Sequence, residues 1–223
     1  MLTSNIIHRV LFIKFGNSTA SAFTIEYEGK QYLVSAQHVF DACATPVTSI
    51  EVYIDDGWRM LDVTPIALSS TGADIAVFGI PNQITPALPT PASSKGAVFG
   101  QDAYFLGFPF QLNWGKKDFN YLKPFPIAKK GVFASLPGKQ FFLDAINNQG
   151  FSGGPVVFKP QGTNTFSIAG VISAYRTREV DVLHQGAATG LKIKENTGLT
   201  VCYDIYCAIE AIKRNPVGAK VND

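Results

Sequence analysis

The chain has 223 residues, 46% of them hydrophobic, enough for one large domain or two small ones around a sizeable core. Its net charge of +2 creates no long-range field to select a nucleic acid or an anionic membrane, and no apolar run approaches the ~20 residues of a membrane span. Charged residues are only 16% of the chain, whereas 20 glycines, 13 prolines and 17 phenylalanines favour many short strands over a helical bundle.

Residues 1–10 have neither a basic stretch nor a continuous apolar run, so no cleaved secretory signal is expected and the expected location is cytoplasmic. Residues 6–15 read as the first strand. Strands at 22–27 and 31–36 follow, with Glu28-Gly29-Lys30 as the hairpin turn between them. Within 49–54, Ile50, Val52 and Ile54 alternate on one face, the period of a half-buried strand. Asp55-Asp56-Gly57 supplies turn chemistry, and strands at 60–67 and 74–80 continue the pattern. Prolines at 81, 86, 89 and 91 exclude an interior strand or helix, so 81–98 is the expected link between two halves, 1–80 and 99–203.

In the second half, 102–107, 127–135, 140–144, 155–159, 165–174 and 199–203 read as strands. From Asp204 onward, Ile205, Ala208, Ile209 and Ile212 have helical spacing. Asp204 can cap that helix, Lys213 and Arg214 suit its C-terminal dipole, and Pro216 and Gly218 end it, which predicts a helix over 204–215. The expected fold is all-β: two packed six-stranded antiparallel β-barrels with a C-terminal α-helix. Cys43, Cys202 and Cys207 cannot all pair, and none lies in a CxxC. They are expected to be small apolar core residues, with no disulfide scaffold, metal or cofactor.

The most informative stretch is Gly150-Phe151-Ser152-Gly153-Gly154-Pro155. Flanking glycines can hold a serine on a tight turn with amides converging beside its hydroxyl, as acyl transfer requires. His38 follows an apolar strand and has a pKa suited to a general base. Asp74 opens another apolar strand, where a partly buried carboxylate needs a partner such as a histidine N–H. His8, read as part of the first strand, and His184, read as part of a polar loop, are expected to be structural or surface residues.

Together with Gly16 to Phe23, the segments 35–39, 73–76, 102–109, 150–155, 168–174 and 196–201 run in one order over nearly the whole chain. They resemble a chymotrypsin-fold, trypsin-like serine protease, and more closely the HtrA-type and other bacterial trypsin-like peptidase domains than the secreted digestive enzymes. The chain order His, Asp, Ser is the chymotrypsin order, distinct from that of subtilisin or the α/β-hydrolases.

The resemblance implies that Ser152 attacks the scissile carbonyl of a polypeptide substrate, His38 shuttles the proton and Asp74 orients His38. It implies an oxyanion hole from the amides of Gly150 and Ser152, and a substrate-pairing strand edge at Ser173, Ala174 and Tyr175. Ile146 is expected at the base of the pocket for the residue preceding the scissile bond (P1). With Ile172, Ala174 and Leu199 on its walls and Tyr175 restricting its length, a small to medium apolar P1 is expected.

Phe151 departs from the digestive enzymes, which have an aspartate before the nucleophile that binds a newly cut N-terminus. Activation by N-terminal cleavage is therefore not expected. What holds the loop is open between packing of the Phe151 ring and a collapsed resting form. HtrA-type chains usually carry a following PDZ domain and an N-terminal extension used in trimers. Neither is expected here, and the expected state is a monomer. The competing reading is a catalytically silent relative that binds peptides or acts as a scaffold.

Overall fold

The computed structural model describes residues 2–41, 47–54, 56–67, 72–112 and 124–221. A short helix, α1 (Ser4–Ile7), occupies the start of the stretch expected to be the first strand, which begins only at Val10. Polar Thr3, Ser4 and Asn5 favour a turn, and the Thr3 carbonyl accepts the amides of Ile6 and Ile7 at 3.1 and 3.3 Å. His8 therefore closes this helix and does not lie in a strand.

The first sheet holds β1 (Val10–Phe15), β2 (Ser18–Tyr27), β3 (Lys30–Ser35), β4 (Ser49–Ile54), β5 (Gly57–Asp62), β6 (Thr64–Ala67) and β7 (Ala76–Gly79). Its order is β5-β4-β1-β2-β3-β7-β6, an open curved sheet among the described residues. Six strands were expected and seven are present, because the 60–67 stretch is divided at Val63, whose side chain turns inward. Pro65 brings a register shift against β7, as a residue without an amide hydrogen does in a ladder.

The second sheet is a closed six-stranded barrel in the order β10-β13-β12-β11-β8-β9. Its strands are β8 (Asp102–Gly107), β9 (Ile127–Phe133), β10 (Gln140–Asp144), β11 (Pro155–Phe158), β12 (Ser167–His184) and β13 (Ala187–Asp204). Helix α2 (Tyr206–Arg214) buries Ala208, Ile209, Ala211 and Ile212, and Asp204 accepts the Tyr206 amide at 2.8 Å. After it, β14 (Ala219–Lys220) adds to β3 beside Gln31 and Lys30, so the tail returns to the first sheet.

Three apolar clusters organise the packing. One fills the first half around Leu33, Val52, Phe40 and Phe78, and one fills the barrel around Phe105, Phe133, Phe141 and Phe158. The third joins the halves, bringing Phe12, Phe23 and Val34 against Leu106, Phe108, Val171 and the buried face of α2. Cys202 lies in the barrel core and Cys207 is half-buried on α2, whereas Cys43 and Asp55 fall outside the described residues. Among the described residues, no helix is long and apolar enough to cross a membrane.

The main departure from expectation is the length of β12 and β13. They stay paired to His184 and Ala187 and leave the barrel as a two-stranded arm, so His184 lies in a strand and not in a polar loop. Gln185 (φ 50°) and Gly186 (φ 82°) make its two-residue turn, since a hairpin of this kind needs positive φ at both central positions.

Candidate active site

Strands β3 and β7 are neighbours, with Ser35 opposite Ala76, so the turn after one and the bend before the other meet at the same sheet end. His38 sits in that turn and Asp74 in that bend. His38 Nδ1 lies 2.7 Å from Asp74 Oδ2, and the His38 amide donates to Oδ1 at 2.8 Å. The hydroxyl of Ser173, from β12, also donates to Oδ2. Burial pushes the Asp74 carboxyl up, but the hydrogen bonds from His38 and Ser173 outweigh it and hold Asp74 below the ordinary aspartate value. The ionised carboxylate accepts the hydrogen bond from His38 Nδ1–H, which leaves the lone pair on His38 Nε2. The same hydrogen bond holds His38 above its ordinary value of 6.5, against the opposing pull of burial.

Ser152 comes from the barrel. Its hydroxyl donates to the Ser173 carbonyl at 3.1 Å, and among the described residues no hydrogen bond joins it to His38. Ser173 thus touches both ends of the site, with its hydroxyl on Asp74 and its carbonyl on Ser152. The glycines around Ser152 are required by geometry. Gly150 has φ +100°, and a Cβ there would meet the Phe108 carbonyl oxygen at 2.4 Å. At Gly153, with φ +82°, a Cβ would lie 2.1 Å from the Ser21 carbonyl oxygen.

Fixed carbonyls orient the amides of this loop. The Gln149 carbonyl accepts from the Phe110 amide at 3.0 Å, and the Phe151 carbonyl from the Gly154 amide at 2.8 Å. In a trans peptide the N–H points opposite to the C=O. The amides of Gly150 and Ser152 therefore point away from Phe110 and Gly154, and no group among the described residues accepts from either. Ser21, from β2, ties the loop to the first sheet. Its amide donates to the Ser152 carbonyl at 2.9 Å and its hydroxyl to the Gly150 carbonyl at 2.7 Å.

The Phe151 ring is fully buried in the barrel core, edge-on to Phe105 with centroids 4.9 Å apart. Beside it the Lys129 ammonium lies 5.9 Å from the ring centre and donates to the Ile146 carbonyl and, at 3.1 Å, to the Asn148 side chain. Burial pulls Lys129 below the usual lysine range.

The expected substrate-binding residues divide. Ala174 and Tyr175 are exposed along β12, and Ile146 is 57% exposed at the loop. Ile172 is fully buried with Phe105 and Phe151 and is not brought to the groove surface; its carbonyl accepts the Gly153 amide at 2.8 Å. Asn147, which sequence reading assigned no role, is buried and donates to the Ala174 carbonyl at 3.2 Å. Ser21 and Lys129 were missed as well, because nothing local marks a buried serine or a strand lysine as partners of a distant loop. A cavity of about 810 Å³ beside α2, lined by Ser94, Asp204, Cys207 and Lys213, shares no residue with this site. Among the described residues, no group of three or more His, Cys, Asp or Glu is placed to hold a metal ion.

Residues 20–163, more than half of the chain, match the family model described as a trypsin-like peptidase domain. Among solved structures, the chain is similar to a serine endoprotease from Yersinia pestis, with a TM-score of 0.62 and 16% identity over 94% of this chain. It spans 63% of the length of that protein. It is also similar to Rv3671c from Mycobacterium tuberculosis H37Rv, solved as an inactive serine-to-alanine mutant. The TM-score there is 0.57, with 16% identity over 96% of this chain and 89% of that one. At these identities the two structures share the fold. No curated protein matches the chain.

Proposed function

This chain belongs to the trypsin-like peptidase family, and on that footing we propose that it is a serine endopeptidase acting through Ser152, His38 and Asp74. The observation that carries the reading is the continuous set of contacts from His38 Nδ1 through Asp74 and Ser173 to the Ser152 hydroxyl.

In the proposed reaction, the Ser152 hydroxyl rotates from the Ser173 carbonyl to His38 Nε2 and attacks the scissile carbonyl. The Oγ–C bond forms as the proton passes to Nε2. The oxyanion is held by the amides of Gly150 and Ser152, a contribution of about 2.7–4 kcal/mol for one such donor. The C–N bond then breaks as Nε2 returns its proton to the leaving amine. Water, deprotonated by the same nitrogen, hydrolyses the acyl-enzyme. The substrate backbone pairs with the edge at Ser173, Ala174 and Tyr175. The exposed Ile146, with Ala174, Tyr175 and Leu199, favours a small to medium apolar P1; cleavage after lysine or glutamate in a peptide library would contradict this.

The silent-relative reading draws on one observation: the Ser152 hydroxyl rests on the Ser173 carbonyl. A fluorophosphonate probe separates the two. An active site labels in the wild type and not in Ser152→Ala or His38→Ala. A folded wild type that stays unlabelled between pH 6 and 9 is the silent relative.

A further inference from the structure

The arm formed by β12 and β13 has no part in the reaction above. β11 pairs with β12 only as far as Val171, and β10 pairs with β13 only from Leu199 onward. From Ser173 to His184 the outer edge of β12 therefore has no strand partner among the described residues. That edge starts beside Ser152, whose hydroxyl is 3.1 Å from the Ser173 carbonyl, and extends roughly 35 Å at about 3.3 Å per residue.

The arm is amphipathic. Val180 pairs directly with Ile193; strand alternation places Val182 and Leu191 on the same face, where the register shifts between Asp181 and Leu183. Ile193 is 58% exposed and Leu191 66%. The other face carries Glu179 and Asp181 opposite Lys194 and Lys192. A two-stranded ribbon is marginally stable in water, and a long open edge is a template for another strand.

We propose that the β12 edge beyond Tyr175, with the apolar face of Val180, Ile193, Val182 and Leu191, is a docking strand for an extended, unfolded polypeptide. The occupant is the substrate chain itself, so the proposal rests on the peptidase reading. A backbone paired along Ser173, Ala174 and Tyr175 runs directly onto the arm, because the same strand edge continues. The base of the arm is also tied to the cleft. The Asn196 side chain donates to the Asn147 carbonyl at 2.8 Å, and the Asn147 side chain donates to the Ala174 carbonyl at 3.2 Å. Strand addition places alternate side chains of the added chain on each face. The favoured substrates are therefore unfolded chains with alternating apolar residues about seven to nine positions from the scissile bond, the distance of Val180 and Val182 from Ser173.

The test uses the full chain carrying Ser152→Ala, and fluorescein-labelled β-casein as an unfolded polypeptide, read by fluorescence anisotropy. Two variants are compared in that background. In one, 178–195 is replaced by an Asn-Gly turn; in the other, Leu191→Lys and Ile193→Lys are combined at exposed positions. Both are expected to bind β-casein at least about tenfold more weakly. Equal affinity in all three, or no binding by the chain with its arm intact, overturns the proposal. So does a dimer, seen by sedimentation, that dissociates on arm removal while casein affinity is unchanged, since the occupant is then a second copy. Fluorophosphonate labelling of the same arm variants with Ser152 restored is expected to match the wild type. Labelling absent everywhere defeats the peptidase reading, and the casein affinities still decide the arm.

Discussion

The hydroxyl of Ser21 donates to the Gly150 carbonyl at 2.7 Å while its oxygen accepts the Phe108 amide at 3.0 Å, so one buried side chain spans both halves of the molecule. The Gly150 carbonyl is the far end of the residue whose amide is proposed to hold the oxyanion. Pinning it inward limits rotation of that short stretch. Ser21→Ala leaves a buried carbonyl and a buried amide without partners, a cost of about 1–3 kcal/mol each. The expected result is a loss of roughly 10–100-fold in acylation by an activated ester, mainly in kcat, together with a lower urea midpoint. Unchanged acylation in a destabilised protein would show that the loop holds its shape without Ser21.

The pH dependence follows from the same site. In the proposed reaction His38 must be neutral at Nε2 to take the Ser152 proton, and the hydrogen bond to Asp74 raises it above 6.5. The acid limb of kcat/KM is therefore expected above the ordinary histidine value. Asp74→Asn removes that hydrogen bond and its charge, so the limb should move to lower pH as the rate falls by about 10⁴-fold. For stability, a raised His38 contributes fully below 6.5 and loses its contribution as pH rises through its folded value. A lowered Asp74 contributes above its unfolded value and loses its contribution as pH falls through the folded one. A pH–rate profile of the two proteins checks the first part. A limb unmoved by Asp74→Asn would dissociate it from His38.

The pairing of His38 with Asp74 and the glycine-held turn at Ser152 were legible because each follows from a local pattern: a strand end, a strand start, and a serine among glycines. Neighbouring strands then bring the first two together without further information. The arm was not legible for a physical reason. Residues 176–198 bury almost nothing, so alternation of charged and apolar side chains there has no core to report and reads as a polar loop. The link from Ser21 to Gly150 spans 129 positions, and no spacing rule reaches that far. Helix α1 and strand β14 were missed because each spans barely one period of the pattern that would announce it.

Arg9 is a charged residue at 1% exposure, in a segment that reads as plain apolar strand. Its guanidinium donates to Glu26 at 2.5 Å, to the Thr24 carbonyl at 3.3 Å, and to the Leu88 carbonyl in the proline-rich link. Arg9→Met leaves Glu26, which is partly exposed, with the Gln31 side chain as its partner at 2.9 Å and frees the link. It is expected to lower unfolding free energy by about 1–3 kcal/mol, the cost of leaving buried polar groups without a partner. Limited proteolysis near Leu88 should accelerate, while fluorophosphonate labelling of the remaining folded protein stays unchanged. Chemical denaturation and cleavage mapping read these effects separately. A stable variant with an unaltered cleavage pattern would mean that apolar packing alone holds the link.

By the resemblance Phe151 stands where the digestive enzymes carry an aspartate, and its ring packs edge-on to Phe105 with the Lys129 ammonium 5.9 Å from its centre. The loop therefore has an apolar anchor in the barrel core. An anchor of that kind should respond to volume. Phe151→Leu, which keeps an apolar side chain of substantial size, is expected to retain labelling within about threefold, at a modest stability cost. Phe151→Ala opens a cavity worth about 3–5 kcal/mol and removes the hold on the peptide preceding Ser152. Its labelling rate is expected to fall by more than about 30-fold in protein still folded by circular dichroism. Lys129→Met, which removes the tether to the Ile146 carbonyl and leaves the ring in place, should lie between the two. If Phe151→Ala labels as fast as the wild type, the ring fills space and does not position the nucleophile. The backbone bonds from Ser21 and Gly154 would then be sufficient to hold the loop.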